Sequence, residues 1–205
     1  MENTTFTQTL WPVLEATTAR SLAHPFLVGL SGGTLPLATF RYYLCQDHQY
    51  LQMFAQLHAV LGNELPPRLA AILAQLGAGE NTARQELHAA LKLSATELAA
   101  TTPAPNNYAY LTHMAYQGQR YGKAALVAGL LPCYWLYNEV GRRLAKQHSP
   151  HPLYQAFFDS YAGADFSTSI QQMRAIVDHL AAPLSEAERQ VMRQAFVKFC
   201  YSHNF

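Results

Sequence analysis

The chain has 205 residues, half of them apolar and only 13% charged, with a formal net charge of +1. A domain of this length buries about 70% of the surface its unfolded chain exposes, so a single domain over residues 1–205 is expected. The near-neutral balance without any basic run excludes a sequence-nonspecific nucleic-acid binder, and no stretch approaches the roughly 18 apolar residues of a membrane span.

The pattern is helical from end to end. A first amphipathic segment runs from about Thr5 to Ala23 and is followed by His24-Pro25-Phe26 and a turn carrying Gly29, Gly32 and Gly33. Thr34 stands where an N-cap belongs, with Pro36 in the first turn and an apolar-periodic stretch behind it to about Glu64. Pro66 and Pro67 open the next helix, with a break expected near Gly77-Ala78-Gly79 and a further helix from about Asn81 to Ser94. Pro103 and Pro105 separate it from a segment over Asn106 to Gly122. A long helix then covers about Lys123 to His148, interrupted by Pro132. Pro150 and Pro152 precede a short helix to Ala162, then come Asp165 to Ala182 and Ser185 to the end. Ser185 and Glu188 form a capping-box pair at that last start. No segment alternates with period two, and no repeat or low-complexity linker divides the chain, so the fold class is all-α.

Met1 to Leu10 lacks the basic and apolar regions of a signal peptide. Cys45, Cys133 and Cys200 are odd in number and show no paired spacing, which suits reduced cytoplasmic thiols. The charged share is about half the usual one. Interface cores are depleted in charge, so much of the surface is free to meet other subunits.

On the helix after Thr34, Phe40, Tyr43, Asp47, Tyr50 and Phe54 recur at spacings of three and four, one aromatic face with a carboxylate in its middle. A carboxylate facing an apolar interior must find a partner or shift its pKa. Asp47 either holds a ligand or reaches solvent or a structural arginine. On the helix after Lys123, Leu126, Leu130, Cys133, Tyr137, Val140 and Leu144 form a second stripe with a central thiol. Pro132 leaves the carbonyl of Ala128 without its helical partner, and a kink there would open space beside Cys133. Cys133 is either a nucleophile or a small buried hydrophobe. Twelve tyrosines, Tyr110 and Tyr161 among them, imply an internal polar network, a cavity for a flat polar ligand, or ordinary core. The histidines form no i, i+4 pair on one face, so no metal site is expected. No dinucleotide-binding, P-loop or nucleophile-elbow motif is present.

The run His24-Pro25-Phe26 through Gly33-Thr34-Leu35-Pro36, then Phe40-Arg41-Tyr42-Tyr43 and Gln46-Asp47-His48-Gln49-Tyr50-Leu51, is similar to the opening signature of the TenA family. Leu131-Pro132-Cys133-Tyr134-Trp135-Leu136-Tyr137 resembles the segment that bears that family's active-site cysteine. Tyr110 and Tyr161 match in order and approximate spacing. The resemblance spans nearly the whole chain. It implies a haem-oxygenase-like helical bundle without haem, no cofactor, a homotetramer, and a thiaminase II or aminopyrimidine aminohydrolase activity of thiamin salvage.

Carried over by resemblance, Asp47 hydrogen-bonds the amino group and ring nitrogen of an aminopyrimidine. Cys133 adds to a ring carbon and expels the group on the exocyclic methylene. Tyr50, Tyr110, Tyr137 and Tyr161 line the pocket. The family's final helix carries a glutamate, followed closely by Phe-Trp, that protonates the ring. Here the chain reads Phe196-Val197-Lys198-Phe199-Cys200-Tyr201-Ser202-His203-Asn204-Phe205. Counting from Phe196 puts His203 at that position and anchoring on Phe205 puts Ser202 there; neither is a carboxylate. The expected activity is therefore hydrolysis of 4-amino-5-aminomethyl-2-methylpyrimidine or thiamin to hydroxymethylpyrimidine. The alternatives are a weakly active or non-catalytic pyrimidine- or thiamin-binding homologue, or one with another small-molecule substrate.

Overall fold

The computed structural model describes residues 4–202, with the side chains of 75–83, 165, 201 and 202 left aside. Among the described residues ten α-helices follow one another: α1 (Trp11–Leu22), α2 (Pro25–Ser31), α3 (Leu37–Glu64), α4 (Pro67–Ala90), α5 (Ala95–Ala100), α6 (Pro105–Tyr121), α7 (Lys123–Leu144), α8 (Pro152–Ala162), α9 (Ala164–Ala181) and α10 (Glu186–Ser202). Among the described residues there is no strand, so the all-α expectation holds.

α7 is the axis of the bundle. Every residue from Ala125 to Leu136 is buried, and α1, α6, α8, α9 and α10 pack around it. A helix apolar on all sides has no solvent face to offer, which forces it to the centre. It runs through Pro132 and closes at Leu144, a few residues before the expected His148; a 3-10 turn over Ala145–Gln147 and a left-handed His148 (φ 54°) turn the chain instead.

Four further local expectations are corrected. Residues 25–31 form a helix rather than a turn, because Pro25 occupies its first turn and the His24 ring accepts a hydrogen bond from the Phe26 amide. Gly29 sits inside that helix to admit Leu35, whose Cβ would lie 3.2 Å from an added methyl. Thr34 is not the cap of α3: Pro36 is, without a side-chain hydrogen bond. The helices expected on either side of Gly77-Ala78-Gly79 are one, α4, since a helix-interior glycine costs only about 1 kcal/mol and buried Leu73 and Leu87 hold both halves. Ser94 ends no helix; its hydroxyl accepts from the Glu97 amide at 3.1 Å and starts α5. The expected capping box of α10 is present, with the Ser185 amide donating to Glu188 at 2.8 Å and the Glu188 amide to Ser185 Oγ at 3.4 Å.

Candidate active site

The aromatic face of α3 points inward. Phe40 and Phe54 are buried, Tyr43 and Tyr50 half-buried, and Asp47 is buried between them. The partner of Asp47 comes from α4: Arg84 Nε donates to Asp47 Oδ2, and both side chains are almost wholly inaccessible. The Arg84 guanidinium lies 4.8 Å from the centroid of the Tyr161 ring and 5.2 Å from that of Phe157, both on α8. Of the two readings of Asp47 left open by the sequence, the arginine partner is therefore present. A visible trace of it is that Arg84 falls on one face with Leu87 and His88 of α4 and the Leu91 that caps it, a cation on a largely apolar stripe.

Cys133 is buried on α7, and its sulfur lies 3.1 Å from the hydroxyl of Tyr110 on α6. Burial raises the Tyr110 phenol well above its ordinary pKa, and the neighbouring Cys133 raises it further. Near neutrality this hydroxyl keeps its proton and can donate it in a hydrogen bond to a thiolate. Tyr50 stacks on Tyr110 with ring centroids 6.0 Å apart, and Phe199 of α10 meets Tyr110 edge-on at 4.9 Å. The last turn of α10, through Phe199, thus packs at the Tyr110–Cys133 end.

Tyr137 lies one turn beyond Cys133 and joins the two halves. Its hydroxyl is 3.1 Å from that of Tyr43, and its ring is 4.9 Å from Tyr161. Burial raises its pKa well above the usual phenol value, with Tyr43 and Asp47 adding to the effect. Tyr161 is fixed in turn by Asn138, whose amide donates to the Tyr161 carbonyl at 2.7 Å. The fold therefore gathers Asp47, Tyr50, Tyr110, Cys133, Tyr137 and Tyr161 into one aromatic-walled region between α3, α6, α7 and α8. Sequence reasoning gave no role to Arg84, and placed Tyr43 in a stripe and in the family signature without giving it a role. His203 lies outside the described residues, and nothing is described of the Ser202 side chain.

Of the other thiols, Cys45 is buried on α3 and Cys200 on α10, where it adds to the effect that holds the Tyr110 pKa up. Cys200 is fully buried, and burial pushes its pKa up to about 12, the profile of an inert thiol. Among the described residues no group of three or more His, Cys, Asp or Glu could hold a metal, and no helix is long and apolar enough to cross a membrane.

The chain is similar to an aminopyrimidine aminohydrolase of Bacillus subtilis, 35% identical with 88% of this chain and 79% of the relative covered. It is 31% identical to an aminopyrimidine aminohydrolase of Halalkalibacterium halodurans, with 85% and 81% covered. In fold it superposes on a TenA homologue from P. horikoshii OT3 with a TM-score of 0.86 at 24% identity, over 97% of this chain and 94% of that one. The sequence profile described as the TENA/THI-4/PQQC family matches residues 11–204. With that match across nearly the whole sequence, the chain belongs to the TENA/THI-4/PQQC family.

Proposed function

We propose that this protein is a thiamin-salvage hydrolase of the aminopyrimidine aminohydrolase or thiaminase II type, converting an aminomethylpyrimidine or thiamin to hydroxymethylpyrimidine. The observation that carries the chemistry is the buried Cys133 sulfur beside the Tyr110 hydroxyl, a nucleophile with a fixed donor for its charged form. The relatives at 35% and 31% identity carry the matching activity in their names.

In this reading the Cys133 thiolate forms a bond to a ring carbon, and the electron pair displaced through the ring expels the amine, leaving from its protonated form as ammonia, or the neutral thiazole of thiamin, from the exocyclic methylene. Water adds to that methylene and gives up a proton, and electrons returning through the ring break the carbon–sulfur bond, release the thiolate and restore aromaticity. Two covalent steps replace one hard displacement. Asp47 accepts from the amino edge of the pyrimidine, while Tyr50, Tyr110, Tyr137 and Tyr161 supply faces and hydroxyls. His203 is the candidate ring acid. No cofactor or metal is needed for this sequence of steps.

Residues 1–205 act as a single domain in this reading, in the cytoplasm and as a homotetramer. The low charge content and the exposed Tyr42, Tyr108, Tyr116 and Tyr121 support faces that meet other copies.

Turnover of 4-amino-5-aminomethyl-2-methylpyrimidine and of thiamin tests the proposal, alongside calorimetric binding of hydroxymethylpyrimidine. Cys133→Ser is expected to lose turnover by orders of magnitude and to keep binding. Full turnover in that variant removes covalent catalysis by Cys133. Binding without any turnover in the unmodified chain makes the protein a pyrimidine binder.

A further inference from the structure

Arg84 is not placed like a peripheral structural arginine. Its side chain is 2% exposed, it donates through Nε to Asp47 Oδ2, and its guanidinium lies over the Tyr161 ring. A guanidinium is flat and delocalised, presents adjacent N–H donors along one edge and stacks on aromatic faces. The 4-amino edge of an aminopyrimidine offers comparable features: a planar ring with an exocyclic N–H donor beside a ring nitrogen. The carboxylate and the aromatic face assigned to the pyrimidine in the proposed function are thus the groups that hold Arg84, and two flat groups cannot occupy the same space beside that carboxylate and that ring.

Resting on that reading of the site, we propose that Arg84 is a specificity-determining residue that occupies the pyrimidine's own position, so that a ligand binds by displacing the guanidinium from Asp47 and Tyr161. The consequence is selectivity. Displacement strips a buried cation from its carboxylate, and only a ligand that brings its own N–H edge gives Asp47 a replacement. A ring of the same size without the amino group leaves both Asp47 and Arg84 unsatisfied, the circumstance in which polar sites discriminate most strongly. The apparent affinity of the correct ligand is lowered by the fraction of molecules whose site is closed by Arg84.

The test is calorimetric binding of hydroxymethylpyrimidine to the intact protein, to Arg84→Met and to Arg84→Lys. Arg84→Met keeps the bulk of the stem and removes the flat cation; it is expected to bind at least tenfold more tightly. Methylguanidinium, far below denaturing concentrations, is expected to compete with the pyrimidine in Arg84→Met and not in the unmodified protein. Arg84→Lys leaves Asp47 a cation, which protects the fold if the methionine variant fails to fold, but it has no planar face. A smaller gain in affinity is expected there. Equal or weaker pyrimidine binding in the folded variants, or no competition by methylguanidinium in Arg84→Met, overturns the proposal while leaving the pyrimidine site standing. Hydroxymethylpyrimidine that binds none of the three proteins overturns the pyrimidine reading, and this proposal with it.

Discussion

The Tyr110 hydroxyl and the Cys133 sulfur meet at 3.1 Å where α6 packs on α7. A hydrogen bond to a charged group is worth about 1.5–3 kcal/mol, and this one reaches that strength only when the sulfur is ionised and the phenol donates. Tyr110→Phe keeps the ring that packs on Tyr50 and Phe199 and removes the donor alone. Alkylation of Cys133 at neutral pH is expected to slow roughly 10- to 150-fold, with turnover falling in parallel. An unchanged alkylation rate would reduce the phenol to packing.

Asp47 and Arg84 form a buried pair, and removing the charge of one partner strands the other. Breaking such a pair costs about 3–5 kcal/mol, whereas replacing both partners with residues of similar volume is often close to neutral. Asp47→Asn is therefore expected to lower unfolding stability in urea by an amount approaching that range, and to weaken pyrimidine binding roughly 10- to 150-fold by removing an acceptor. The double variant Asp47→Asn/Arg84→Met is expected to regain most of the lost stability. A double variant no more stable than Asp47→Asn alone would mean that the pair carries no coupling.

The sequence makes α3, α7 and α10 legible because their apolar periodicity is long or their caps explicit: Leu126 to Leu144 on α7, Ser185 and Glu188 on α10. Short or interrupted helices are harder to read. The glycines near residue 77 signal a break only if local propensity decides, and in α4 the burial of Leu73 and Leu87 on either side decides instead. Gly29 has the composition of a turn, yet what it provides is room for Leu35. The site divides in the same way. The stripes that bring Asp47 and Cys133 inward are local patterns on single helices. The meeting of Arg84 with Asp47 links α4 to α3 across 37 positions, and no local spacing encodes it.

Gly141 on α7 lets α8 approach. A methyl there would stand 2.6 Å from Tyr161 Cβ and 3.1 Å from the Phe158 carbonyl oxygen, both on α8. Backbone cannot swing aside as a flexible side chain can, so Gly141→Ala is expected to destabilise by about 1–3 kcal/mol through overpacking. Because the strain falls on Tyr161, turnover is expected to drop by more than the loss of folded protein explains. Gly62→Ala in α3, where an added methyl meets nothing within 4 Å, is the control and is expected to stabilise by about 0.5–1 kcal/mol. Equal effects from the two substitutions would refute the close-approach argument.

His58 makes the fold sensitive to acid. Its Nδ1 lies 2.8 Å from the Phe54 carbonyl, which can only accept, so the ring proton sits on Nδ1. Nε2 is then a lone pair, and the Tyr134 hydroxyl at 2.6 Å donates to it. Burial lowers the His58 pKa from 6.5 to about 4. The unfolded chain therefore binds the proton more readily, and the stability from neutral His58 is fully present above pH 6.5 and lost as pH falls toward 4. The loss amounts to something on the order of 3 kcal/mol. Urea unfolding of the unmodified protein at pH 7 and pH 5 is expected to show the decline, and His58→Gln, which does not titrate, to show a smaller one. Identical slopes in the two proteins would move the acid sensitivity to other groups.

By the family resemblance, counting from Phe196 sets His203 where the ring-protonating glutamate stands. In the proposed reaction, addition of Cys133 to the pyrimidine pushes electrons onto a ring nitrogen, and a positioned acid there contributes typically about 10²–10⁴-fold. Histidine is competent in principle, since its unperturbed pKa of about 6.5 lies close to neutrality. A carboxylic acid has a lower ordinary pKa and needs a desolvated setting to hold its proton, but it offers a shorter, more compact donor. If His203 is a poor substitute, the chain hydrolyses aminopyrimidines slowly and binds them well. Turnover of the unmodified chain, His203→Ala and His203→Glu separates the cases. A gain in His203→Glu together with a loss in His203→Ala assigns position 203 to the reaction. A loss in both variants makes the histidine itself the working acid. Three identical rates remove position 203 from the mechanism and leave Tyr110, whose proton burial retains, as the nearest remaining donor to the reacting sulfur.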